Sequence, residues 1–69
     1  MEKEEILRYI AIERSRIRSS REFYYVCEDE EDRKITLENI KDSQRKIEYY
    51  KYLAKIDDEQ EEDTWEPRD

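Results

Sequence analysis

The sequence predicts an all-α protein: a two-helix antiparallel hairpin over about residues 2–30 and 36–56, followed by a disordered acidic C-terminal tail. Three observations predict it. Apolar residues recur at helical spacing, Ile6, Ile10, Ile17 and Tyr24 in one segment and Ile40, Ile47, Tyr50 and Ala54 in another. The acidic run between the segments, residues 28–32, has no Gly, Asn or Pro to set a tight β-turn, and its five like charges would repel across one. From Asp57 onward Trp65 is the only large apolar side chain among acidic and polar residues.

The first helix opens with acids, Glu2, Glu4 and Glu5, which suit the positive end of a helix dipole. Glu4–Arg8 and Arg18–Glu22 are opposite-charge pairs four residues apart, each worth a few tenths of a kcal/mol. Glu13 and Ser20 interrupt the apolar stripe, while Leu7 and Ile12 widen the apolar surface. Residues 22–37 carry two patterns. Phe23, Tyr24, Tyr25 and Val26 are strand-favouring types, and residues 33–37 alternate polar and apolar, so a helix–β-hairpin–helix with strands at 22–27 and 33–37 is the alternative fold. Helix is favoured, because an isolated two-stranded hairpin is marginal. The second helix is the most clearly marked. Thr36 is its expected N-cap, Glu38 lies in its first turn, and Lys51 and Lys55 suit its C-terminal end. Its two apolar faces, one of Ile40, Ile47, Tyr50 and Ala54 and one of Tyr49, Leu53 and Ile56, call for two neighbours.

Only 13 of the 69 residues are Leu, Ile, Val or Phe, and nearly all fall between Ile6 and Ile56. A body of about 50 residues is near the size where a lone core is marginal and association is usual. The expected assembly is therefore a homodimer with a four-helix arrangement. The charge divides the chain in the same place. Residues 1–56 are neutral overall, and residues 57–69 carry the whole net charge of −7. The expected organisation is one small helical domain, 1–56, and a tail, 57–69.

Composition excludes much chemistry. Without His there is no imidazole base or ligand, and without Gly no phosphate-cradling loop. The single Cys27 reads as a small buried residue, since nothing is present to activate it as a nucleophile. Residues 28–32 lack the alternating ligands, central Gly and distal Glu of an EF-hand. No apolar run approaches the ~20 residues of a membrane span, and the acidic start is unlike a secretory signal. The expectation is a cytoplasmic, non-enzymatic chain with no catalytic residue, metal or cofactor.

Two residue groups carry the functional expectation. Trp65, Tyr49, Tyr52, Leu53 and Ile56 are the candidate protein-contact residues, because aromatic anchors dominate protein interfaces. Arg14, Arg18 and Arg21 fall on one helical face with Tyr25 just beyond, a basic and aromatic combination suited to nucleic acid. The leading reading is a protein-interaction module, a regulator or inhibitor docking on a larger partner, of the kind found among viral and mobile-element accessory proteins. The alternative is a nucleic-acid-binding regulator whose acidic tail competes for the arginine face. An acidic nucleic-acid mimic ranks third, because a flexible tail on a neutral body lacks a rigid array of acids.

Overall fold

Three helices appear in a computed structural model that describes residues 2–68: α1 (Lys3–Val26), α2 (Glu30–Ala54) and the single turn α3 (Glu61–Thr64). α1 and α2 pack antiparallel as a helical hairpin, and among the described residues there is no strand. At 1.5 Å per residue a helix of 24 residues is about 36 Å long, which accounts for most of the 41 Å long axis.

The turn explains where the two long helices stop and start. α1 ends at Val26, with the Cys27 backbone N–H donating to the Phe23 carbonyl at 2.9 Å. Only residues 27–29 lie between the helices. Asp29 is the N-cap of α2, its carboxylate accepting from the Glu31 backbone N–H at 2.9 Å. Arg33 reaches back and donates from Nε to the Cys27 carbonyl at 2.8 Å. Two expectations are corrected here. α2 starts at Glu30, six residues earlier than the sequence reading had it, and the cap is Asp29 in place of Thr36. The acidic run is the reason. Glu30, Glu31 and Asp32 occupy the first turn, where the helix dipole favours negative charge, so the cluster starts the helix and does not form the loop. Thr36 lies inside the helix and turns its hydroxyl onto the Asp32 carbonyl at 2.7 Å. The β-hairpin alternative fails for the same segments: residues 23–26 form the last turn of α1 and residues 33–37 lie in α2.

The interior is almost entirely isoleucine. Ile6, Ile10 and Ile17 of α1 meet Ile40 and Ile47 of α2, with Tyr50, Ala54, Ile56 and Trp65 packed partly buried against them. These positions follow the three-and-four spacing that brings side chains to one helix face. One polar pair interrupts the layer. Glu13 is buried, accepts from the Ser43 hydroxyl across the interface at 2.9 Å, and takes a second hydrogen bond from Arg16 at 3.2 Å. The break in the apolar stripe at Glu13 is therefore matched by a break at Ser43 on the facing helix.

Truncating a fully buried isoleucine, Ile17→Ala or Ile47→Ala, is expected to cost about 2–5 kcal/mol. That is a large share of the roughly 3–10 kcal/mol usual for a chain of this length. Tyr52→Ala, on the exposed face, is expected to change stability by under about 0.5 kcal/mol. Urea denaturation followed by helical circular dichroism gives the comparison.

Candidate functional site

The sequence after α2 turns back at Lys55. This residue adopts a left-handed backbone at φ 54°, the only non-glycine positive φ among the described residues. Its N–H and that of Ile56 both return to the Lys51 carbonyl, the latter at 3.0 Å, satisfying the open carbonyls at the helix end. The chain then runs along the hairpin. Within the acidic segment that follows, residues 58–65 lie along the hairpin, through α3 and Trp65. Isolated one-turn helices do not persist in water, so contacts with the hairpin hold α3 in place.

Asp63 is the centre of these contacts. Its side chain is 0% exposed, although it is one of eight acids in the last thirteen residues. Arg14 of α1 grips it with both arms of its fork, Nε to Oδ1 at 3.0 Å and Nη2 to Oδ2 at 2.8 Å. Lys51 of α2 donates from Nζ to Oδ2 at 2.8 Å, and the Gln60 backbone N–H donates to Oδ2 at 3.1 Å. Burial alone would push the Asp63 carboxyl up. The hydrogen bonds from Arg14, Lys51 and Gln60 outweigh it and hold the carboxyl at about 2, against an ordinary value of 3.8. Burial likewise pushes the Lys51 ammonium down, but the Asp63 hydrogen bond and charge leave it raised. Arg14 is raised as well, chiefly by its hydrogen bond to Asp63.

Weaker contacts surround this clamp. Arg14 also reaches Asp58 at 3.4 Å, Arg18 pairs with Glu62 at 3.1 Å, and Arg21 pairs with Glu61 at 3.4 Å. The Gln44 amide donates to two main-chain carbonyls, Glu62 at 3.1 Å and Trp65 at 2.9 Å. The Trp65 ring stands edge-on to Tyr24 and Tyr25, with centroids 6.0 and 6.1 Å away.

The two groups of candidates expected from the sequence are distributed as follows. Arg14, Arg18 and Arg21 do share a face, and each carries an acid of residues 58–63. Tyr25, half exposed, touches Trp65. Trp65 and Ile56 pack partly buried against the core, and of the two only Ile56 also borders the other protein-contact candidates. Tyr49, Tyr52 and Leu53 remain exposed on α2. Tyr52, Leu53 and Ile56 line a cleft of about 730 Å³ with Lys51, Lys55 and residues 57–59. Asp63, Lys51 and Gln44 escaped the sequence reading as site residues. Lys51 had a signal: it follows Ile47 by four positions and so lies on the buried stripe, where a cation needs an acid.

The fold and site together define an all-α helical hairpin whose C-terminal segment is clamped across both helices through a buried carboxylate. No helix of the described residues is long and apolar enough to cross a membrane. Beyond that class, the chain matches none of the family models, curated proteins or solved structures with which it was compared.

The clamp dictates a pH dependence. A carboxyl at about 2 in the folded chain, against 3.8 outside it, contributes about 2 kcal/mol. That contribution is fully present above pH 4 and is lost as the pH falls from about 3.8 to about 2. The raised Lys51 contributes below its ordinary 10.5 and is lost as the pH climbs past it. Trp65 fluorescence should therefore report release of the segment between about pH 4 and 2. In Asp63→Asn the segment is expected to be released already at pH 7, leaving the acid transition without a Trp65 signal.

Proposed function

We propose that this chain is a small protein-interaction module without enzymatic activity, which docks on a larger protein as a regulator or inhibitor. The observation that carries the reading is the exposed cluster on the C-terminal half of α2: Tyr52 is 80% exposed and Tyr49 58%, with Leu53 beside them. Tyr9 of α1, stacked on Tyr50 at 5.6 Å, extends the aromatic surface across the hairpin. Tyrosine is enriched at interfaces because it combines a large apolar area with a polar tip and little conformational entropy. The cleft bordered by Tyr52, Leu53 and Ile56 gives such a surface relief into which a partner side chain fits.

Binding is favoured over catalysis by what the chain has to offer a substrate. It holds no imidazole, and its single thiol is buried in the turn against the Asp29 carbonyl at 3.6 Å. Trp65, an anchor in the sequence reading, is occupied by Tyr24 and Tyr25, so the proposed contact rests on Tyr49, Tyr52 and Leu53.

The test is affinity capture from the source cells with the full chain and with a Tyr49→Ser/Tyr52→Ser/Leu53→Ser variant of unchanged helicity. Hot-spot residues cost upwards of about 2 kcal/mol each, so capture of the partner should fall by more than about tenfold. Equal capture by both chains would refute the docking surface. A variant that changes only the oligomeric state, measured by light scattering, would assign the surface to a second copy.

A further inference from the structure

The hairpin holds residues 58–65 by contacts that sort according to what they recognise. Arg14 and Lys51 grip one carboxylate, and Arg18 and Arg21 hold its neighbours more loosely. Tyr24 and Tyr25 present faces and edges to an indole. Gln44 takes two main-chain carbonyls three residues apart. That last contact reads a main chain, in which carbonyls recur at this three-residue spacing. The charge balance agrees. With residues 1–56 neutral, the hairpin lacks the broad positive field on which phosphate-backbone binding depends. A single deep carboxylate site beside an aromatic seat suits an acidic peptide better than a polyanion.

The segment that fills this site is joined to it weakly. Six non-helical residues separate α2 from α3, and the first of them, Lys55, is held in a left-handed backbone that disfavours a residue with a Cβ. Its contacts with the site are non-covalent and lie within residues 58–65, so the segment is a discrete ligand on a short tether that is itself anchored at Ile56. Tethering by a short linker corresponds to an effective concentration in the millimolar range, against which any outside peptide must compete.

We propose that the groove lined by Arg14, Arg18, Tyr24, Gln44 and Lys51 is a binding site for acidic peptide segments that carry an aromatic residue two positions after a carboxylate. The chain's own Asp63 and Trp65 are its resident, competing ligand. This goes beyond the docking surface on α2 and rests on different contacts, so either assignment can fail alone.

A fluorescent peptide spanning residues 57–68 is the probe. The receptor is the full-length Asp63→Asn/Trp65→Ala chain, whose own segment is weakened at both anchors. Anisotropy is expected to show saturable binding, about tenfold or more tighter than to the wild-type chain, whose site is mostly occupied. A peptide with both anchor substitutions should not bind. A second measurement uses the wild-type chain labelled with nitrogen-15 and an excess of unlabelled peptide. The Trp65 indole signal should move to the position of a released segment while the hairpin signals hold. Failure of the helical variant to bind the peptide, with no movement of Trp65 in the wild type, would overturn the proposal. So would binding of a single-stranded oligonucleotide by the variant without binding of the peptide. If the variant does not fold, the wild-type titration decides alone.

Discussion

A carboxylate removed from water between two helices governs this structure. Asp63 is fully buried, and such a charge persists only where donors replace its hydration. Here four hydrogen bonds do so, from Arg14 on α1, from Lys51 on α2 and from the backbone of the segment itself. Because the two cations come from different helices, the carboxylate ties α1 to α2. It also fixes α3, and α3 in turn sets Trp65 against Tyr24 and Tyr25 and over the edge of the isoleucine core. Small domains usually need a staple beyond their hydrophobic core. In a chain with one cysteine and no histidine, an ionic clamp fills that role.

The interior makes the polar contacts more consequential. Five isoleucines of identical shape say little about which layer should face which, and a uniform core specifies register poorly. Slipping α2 by two turns would put Ile40 in the place of Ile47, and the same slip of α1 would exchange Ile10 and Ile17. Such slips would also take Glu13 from Ser43 and Lys51 from Asp63, leaving charges buried without partners. The hairpin therefore draws cohesion from its apolar stripe and alignment from two polar cross-links, one within the α1–α2 interface and one through the C-terminal segment.

How far this was legible varies from residue to residue. The isoleucine spacing names the buried faces of both helices directly, because helical periodicity is a local property of the sequence. The start of α2 was misplaced because residues 28–32 satisfy two local descriptions, a repelling loop and an acidic first helical turn. The choice between them depends on Asp29 capping and on Arg33 reaching the Cys27 carbonyl. Lys51 announces a buried acid by sitting on an apolar stripe, but nothing local distinguishes Asp63 from the seven other acids after residue 56. Block charges foretell that a basic first helix and an acidic C-terminal segment attract. They do not foretell which pair is desolvated, since that depends on where the turn at Lys55 delivers the chain.

The contacts of the segment differ in kind, and this sets how it can be released. The pairs of Arg18 with Glu62 and Arg21 with Glu61 each include a well-exposed partner, and such pairs contribute about 0–1 kcal/mol and are screened by salt. The Asp63 clamp is shielded from solvent and is far less sensitive to ionic strength. Moderate salt therefore weakens the outer ring without opening the site. Opening requires something that satisfies Arg14 and Lys51 as well as Asp63 does, because exposing the segment otherwise leaves two partly buried cations without their acid. A second carboxylate meets that requirement at its own geometry, and a carboxylate backed by an aromatic ring and a peptide backbone meets the requirements of Tyr24, Tyr25 and Gln44 as well. The same clamp that stabilises the closed chain thus defines the chemistry of whatever displaces it.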